Sequence, residues 1–216
     1  MNAEVSAETM SRLRDAGTEL IPSRLVFHQD PRREEFWRIR NVRRDLALSI
    51  DAPMRCVALS AADAPRIATL YWILYGDKHS QLNPHFSAAW LAHAMRTGVF
   101  SGEGLIHDGR LVSAYLSYRV EDVMTNPVFG YDTALPQQLG LYRRLSLLTM
   151  QAARRDDVRL HASSGAPGFK ASRGGVVTME YHAVDLRGVK GAQRLVWRVF
   201  ARTIRAIAPR VFRSAR

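Results

Sequence analysis

Val128-Phe129-Gly130-Tyr131-Asp132-Thr133-Ala134-Leu135-Pro136-Gln137-Gln138-Leu139-Gly140-Leu141-Tyr142 changes its period part-way along. The first five residues read as a strand. Pro136 suits a helix start, because the N–H it lacks would have no partner there, and Leu139, Tyr142, Leu145, Leu148 and Ala152 follow at helical spacing. A helix N-terminus presents unpaired N–H groups and the positive end of the dipole, a setting for an anion, and Gly140 permits close approach. Gly140 serves equally well to pack the helix tightly on a strand.

Upstream, Asp108-Gly109 between two apolar runs marks a two-residue hairpin turn, since both central residues need positive φ. The strand after it alternates Val112, Ala114, Leu116, Tyr118 and Val120, and Asn126-Pro127 marks a further turn. Cys56 to Leu59 reads as a strand. Ser60 can cap a helix from Asp63 to Tyr75 with Ile67, Leu70, Tyr71 and Leu74 on its buried stripe. A polar loop from Asp77 to Asn83 leads to a second helix, expected from Pro84 to Gly98 with Phe86, Trp90, Leu91 and Met95 inward. Downstream come a strand (Val158 to Ala162), a glycine-bearing loop with a short helix (Ser163 to Arg173) and a strand from Val176 to Val184. The order is β-α-α-β-β-β-α-β-α-β, an α+β arrangement whose strands pair mostly as an antiparallel meander.

The first 53 residues are less regular. Phe36, Ile39 and Val42 have helical spacing, after which Leu46, Leu48 and Ile50 alternate like a strand. The expected division is an N-terminal extension over 1–53, a domain over 54–185 and a basic helix over 186–216. At 216 residues one core suffices. The single Cys56 cannot form an internal disulfide and reads as core filler. No Gly-x-Ser-x-Gly elbow is present and the seven histidines lack zinc-ligand spacing, so no metal is expected. Without an apolar leader or a run of about 18 apolar residues, the expected location is cytoplasmic.

Two local patterns carry a family resemblance. Gln137-Gln138-Leu139-Gly140-Leu141-Tyr142 is similar to the helix start of the GNAT acyltransferases, a Gln or Arg, two residues, Gly, one residue, then Gly or Ala, with Tyr142 in the last place. Phe169-Lys170-Ala171-Ser172-Arg173-Gly174 falls where ordinary members carry Asn, Phe-Tyr and Gly-Phe; its Phe-Lys pair resembles the FemAB-like branch, which includes the Fem aminoacyltransferases. Fem-type proteins usually hold two such domains in tandem, whereas this chain has room for one. The resemblance covers Met54 to Val184. It implies a GNAT-like mixed, mostly antiparallel sheet flanked by helices, followed here by a C-terminal basic amphipathic helix.

It also implies acyl transfer from a thioester, acyl-CoA or acyl-carrier-protein, to an amine or hydroxyl (EC 2.3.1 class). The donor-binding residues would be Tyr131, Thr133, Gln137, Gln138, Leu139, Gly140, Leu141, Tyr142 and Arg143, with an oxyanion-binding amide near Tyr131 to Thr133. Arg144 adds countercharge. Lys170 takes the place of the tyrosine that protonates the departing thiolate, and Asp132, Glu180 and His161 are candidates for the general base. Each has a plain structural alternative: Asp132 as a helix cap, Glu180 on a solvent face, His161 as a hydrogen-bonded interior residue, Lys170 as a surface charge. His79, Ser80 and Asn83 lie in the loop that borders the acceptor site in GNAT enzymes.

The formal net charge is +11, and nine basic residues with no acid lie between Arg187 and Arg216, leaving the remainder near neutral. At about 100° per residue, Arg194, Arg198, Arg202 and Arg205 share one quadrant and Leu195, Val196, Val199, Phe200, Thr203, Ile204 and Ile207 fill the opposite half. Such a helix either completes the core or works as a surface over residues 190–216, against anionic membrane lipid in a membrane-peripheral protein, an acyl carrier protein, or nucleic acid. Sparse aromatic interleaving disfavours nucleic acid. Self-association into a homodimer is a further expectation. The alternative to an enzyme is a non-catalytic GNAT-like module that binds membrane or nucleic acid through this tail.

Overall fold

A computed structural model of the chain describes residues 6–51 and 54–213, with side chains through residue 208. Met1 to Val5, the boundary residues Ala52 and Pro53, Arg216 and the side chains of Arg210 and Arg213 therefore lie outside the described residues. The chain divides into two compact units: residues 29–162 with 172–174, and residues 1–28 with 163–171 and 175–216. The segment expected as an extension is shared between them.

The smaller unit begins with α1 (Ala7–Asp15), capped by Ser6 Oγ accepting from the Thr9 amide, and β1 (Thr18–Gln29). The larger unit begins with α2 (Glu34–Arg38) and α3 (Arg40–Asp51). Leu46, Leu48 and Ile50 are thus helical, correcting the strand expectation. The residues α3 buries are Val42 and Asp45, three apart, and a two-residue alternation beside them carries no weight against that face. There follow β2 (Arg55–Ala58), a 3₁₀ turn at Ala61–Asp63, α4 (Ala64–Trp72), a π-helical turn at Ile73–Asp77, α5 (Ala88–Arg96), β3 (Glu103–His107), β4 (Arg110–Val120), β5 (Val123–Tyr131), α6 (Leu141–Arg155) and β6 (Arg159–His161). The smaller unit then gains α7 (Pro167–Ala171), β7 (Val176–Asp185) and α8 (Gly191–Arg213).

Several starts and stops follow the sequence signals. Ser60 and Asp63 form a reciprocal capping box, and Asp108 and Gly109 hold φ of 47° and 73° in the hairpin between β3 and β4. Others move. The helix expected from Pro84 starts at Ala88, because Ser87 caps it, and α6 starts at Leu141, not Pro136. Residues 137–139 form a 3₁₀ turn that Gly140 ends in the left-handed region at φ 62°. A Cβ at Gly140 would lie 2.7 Å from Leu48 Cδ2. Gly140→Ala is accordingly expected to cost about 1–2 kcal/mol from the left-handed backbone, plus displacement of Leu48, read by urea denaturation.

In the larger unit the strands run β2-β3-β4-β5-β6, antiparallel except for β5 and β6, and in the smaller unit β1 pairs antiparallel with β7. The fold is a mixed α+β, mostly antiparallel arrangement flanked by helices. One apolar cluster joins Val42, Tyr115, Leu145, Met150 and Leu160, and another joins Ile67, Leu70, Leu91, Leu116 and Val128. β4 therefore has cover on both faces, and residues 112–117 are all buried rather than alternating. Cys56 is exposed on β2, which pairs with β3 alone, so it fills no core.

Candidate functional site

The site in the larger unit arises where β5 leaves β6. The two strands pair in parallel only through Val123–Arg159, Met124–Leu160 and Thr125–His161. Beyond Thr125 the ladder between β5 and β4 slips by one residue. Two steps along β4, from Leu116 to Tyr118, match three along β5, from Val128 to Thr125, which places a bulge at Asn126-Pro127. Proline has no N–H to give a ladder, and the bulge bends β5 away. Asn126 Oδ1 is buried there with no hydrogen-bond partner among the described residues. His161, 5% exposed, ends β6 at the point of divergence.

The far end of β5 has a defined polarity. The Asp132 amide donates to Val112 O at 2.8 Å, which makes Tyr131 and Ser113 a non-hydrogen-bonded pair. The Tyr131 N–H therefore points away from β4. Of the Tyr131 and Asp132 amides, Asp132's is spent on the ladder and Tyr131's is directed outward. Gly130 brings β5 so close to α4 that a Cβ would lie 2.5 Å from the Tyr71 backbone nitrogen.

Phenols gather at this end. Tyr142 meets Phe129 edge-on at 5.5 Å and Tyr131 at 6.1 Å between ring centroids, and Tyr75 stacks on Tyr71 at 4.8 Å. Burial, followed by the neighbouring Tyr142, Tyr71 and Tyr131, pushes the Tyr75 hydroxyl up to about 12; burial also raises Tyr142. Both stay protonated at neutral pH and can donate. Sequence reading assigned Tyr131 and Tyr142 but missed Tyr75, which lies in the π-helical turn; such turns often mark functional sites.

At the start of α6 no side chain caps the helix, and three arginines lie close by. Arg144 is buried and donates to Leu139 O at 2.8 Å; burial, then the adjacent Arg143 charge, holds it below the ordinary arginine value. Arg143 donates to Asp45 Oδ1 at 2.6 Å and to the Arg44 carbonyl at 3.1 Å. Asp45 has no exposed surface and also receives Arg173, at 2.6 and 3.1 Å. Three guanidinium groups against one carboxylate leave a net positive charge beside Gln137, Gln138, Leu139, Gly140 and Leu141.

Other expected residues are fastened elsewhere. Asp132 pairs with Arg66 at 2.9 Å and accepts from the Ala134 amide at 3.2 Å, while Thr133 lies in that turn. Asn83 Nδ2 donates to the Tyr75 and Ser80 carbonyls at 2.8 and 3.1 Å, and Ser80 Oγ accepts from the Leu82 amide. These bonds hold down the loop after the π-helical turn, together with the Ser80 amide donating to the Tyr75 carbonyl at 2.9 Å. His79 is exposed, its ring 5.9 Å from that of Tyr75.

The smaller unit holds Lys170 and Glu180. Lys170, on α7, is 9% exposed, and its ammonium has no ion pair or hydrogen bond among the described residues. Burial first, then the Arg24 charge, lowers it from 10.5 to about 8. Glu180 stands opposite Arg24 across the β1–β7 ladder and forms an ion pair with it. The backbone of the Phe169-Lys170 segment is closed by the Gly175 amide donating to Lys170 O at 2.9 Å. Among the described residues no group of three His, Cys, Asp or Glu could hold a metal ion.

No protein-family model matches the sequence, and no curated protein matches it. Solved structures do resemble the fold. The C-terminal domain (DUF2156) of a putative lysylphosphatidylglycerol synthetase from Agrobacterium fabrum overlays on 92% of this chain and 70% of its own, with a TM-score of 0.61 at 14% identity. L-PGS from Bacillus licheniformis covers the same shares, with a TM-score of 0.58 at 13% identity. A putative acetyltransferase from the GNAT family of Novosphingobium aromaticivorans overlays on 78% of this chain and 66% of its own, with a TM-score of 0.41 at 16% identity. The first two establish the fold, and identities this low establish nothing further.

Proposed function

We propose that the chain is an acyltransferase that moves an acyl group from a thioester donor, acyl-CoA or acyl-carrier-protein, to an amine or hydroxyl. The observation that carries this reading is the divergence of β5 from β6, with an outward-directed Tyr131 N–H and an uncapped, arginine-flanked α6 start on the same chain segment. In the proposed reaction the Tyr131 amide donates to the acyl oxygen as negative charge develops on it, and the α6 amides with the local positive charge hold the donor's phosphates. The nucleophile attacks the carbonyl carbon, the carbon–sulfur bond breaks, and the nucleophile's proton leaves to a base directly or through water.

For that base His161 is proposed, because it is buried at the end of β6 where β5 leaves it; Asp132 and Glu180 pair with Arg66 and Arg24. Lys170 is proposed to protonate the leaving thiolate: an ammonium titrating at about 8 is matched to a thiol of about 8.5. The overlays with proteins named for lysylphosphatidylglycerol synthesis favour a second reading, in which the group moved is aminoacyl and the acceptor a lipid hydroxyl.

Calorimetric titration with CoA, short and long acyl-CoA, acyl-carrier-protein and an aminoacyl-tRNA tests the donor, followed by a transfer assay on whichever binds. Binding of a thioester, retained in Lys170→Met while transfer is lost, is the expected result. Transfer should also decline above pH 8 as Lys170 gives up its proton. Binding of aminoacyl-tRNA alone selects the second reading, and binding of no donor leaves the non-catalytic alternative.

A further inference from the structure

α8 buries an unexpected side of itself. Ala201 and Ala208 are buried and Ile204 is half-buried, all on one helical stripe. Trp197 lies on the same stripe and is 39% exposed, while five other large apolar side chains lie off it and in water: Leu195, Val196, Val199, Phe200 and Ile207 are between 41% and 65% exposed. At about 100° per residue they span roughly 140° of the helix, and between Leu195 and Ile207 Thr203 is the sole polar residue on that arc. Leu195, Val196, Val199, Phe200 and Thr203 line a shallow depression there. The helix therefore does not spend its apolar half on the core, as the first of the sequence expectations had it.

The arginines run along the border between the two stripes. Arg205 pairs with Glu19, and Arg194 donates to the Val189 and Arg187 carbonyls at 3.0 and 3.2 Å. Arg198 and Arg202 are exposed, and among the described residues neither meets a carboxylate. No acid occurs anywhere from Arg187 onward.

We infer that α8 docks the protein on a bilayer surface bearing anionic headgroups. The helix lies in the interface plane, with Leu195, Val199 and Phe200 among the acyl chains and Arg198 and Arg202 on lipid phosphates. An apolar strip bordered by cations matches that boundary, where one surface has both an apolar and an anionic layer. A second copy fits poorly, since apposing these faces brings two arginine rows together with no acid to separate them. Nucleic acid or an acidic protein would satisfy the arginines and leave the strip in water. No helix among the described residues is long and apolar enough to cross a membrane, so the contact is parallel to the surface. This inference is independent of the acyl-transfer reading.

The test is sedimentation of the full chain with phosphatidylcholine vesicles and with vesicles containing phosphatidylglycerol, at low and high salt. The protein is expected to partition onto the anionic vesicles and less onto the neutral ones. Leu195→Glu with Phe200→Glu, and separately Arg198→Glu with Arg202→Glu, should each lower the anionic partition about tenfold or more. All four positions are exposed, and circular dichroism confirms that the variants fold. The inference is overturned if the wild type stays in the supernatant with anionic vesicles, or if Leu195→Glu with Phe200→Glu sediments like wild type. It is also overturned if that variant merely dissolves a dimer seen by light scattering, or abolishes binding to an acidic carrier protein in a chain that ignores vesicles.

Discussion

Asp45→Ala is expected to lower the stability of the protein by about 3–5 kcal/mol, because it strips the carboxylate from a buried cluster and leaves two arginines facing one another. Asp45 has no exposed surface, Arg173 is 7% exposed, and Arg143 reaches the same carboxylate from α6. The cost belongs to the uncompensated cations more than to the lost pair, which sets a second expectation: adding Arg143→Met and Arg173→Met to Asp45→Ala should recover most of the stability. Urea denaturation of the single and triple variants checks both statements. A loss under 1 kcal/mol would show that solvent reaches the cluster and that it does not fasten α3 to α6. This bears on the proposed donor site because α3 places Leu48 against Gly140, at the start of α6.

Lys170→Met is expected to have the opposite sign. Holding an ammonium in a buried place without a partner costs the folded state up to about 3 kcal/mol at neutral pH, the equivalent of a shift from 10.5 to about 8. Between those two values the unfolded chain binds more protons than the folded one, so wild-type stability rises with pH across that window. Methionine, of similar length and uncharged, removes the dependence. The variant should therefore be more stable than wild type below pH 8, with the difference closing as pH approaches 10.5. Denaturation at pH 6.5, 8 and 10 measures it. A lysine kept at this cost has the profile of a working group, and Lys170→Met should pair greater stability with lost transfer.

What the sequence made legible was local. The hairpin at Asp108-Gly109, the cap at Ser60 and the order of elements after residue 54 all rest on contacts within a few residues. β1 escaped because Pro22, Ser23 and Arg24 interrupt its alternation, its ladder slips there, and its partner β7 lies more than a hundred residues away. Gly140 was legible as a glycine that matters, yet its left-handed backbone and the later helix start depend on Leu48, from a helix that sequence had read in part as a strand.

The site was legible to a similar degree. Of the candidate residues, Tyr131 and Tyr142 lie ring to ring and His161 ends β6, whereas Tyr75 reads in the sequence as one more residue on an apolar helix and owes its place beside the other phenols to the π-helical turn. Asp132 and Glu180 were attractive as bases by type and place. Nothing local announced Arg66 or Arg24, whose guanidinium groups come from distant segments. For α8 the arginine row was readable and the buried side was not: small Ala201 and Ala208 let the helix pack closely, and the bulkier stripe was left outside.

Hydrogen exchange of the backbone amides with and without donor tests the central claim most directly, since it reports binding and its location together. On addition of a thioester donor, the segment from Phe129 to Arg143 is predicted to slow, most at Tyr131 and at the first amides of α6. Donor binding that leaves Phe129 to Arg143 unchanged, or no protection with any donor, would contradict the assignment of this segment as the acyl-transfer site.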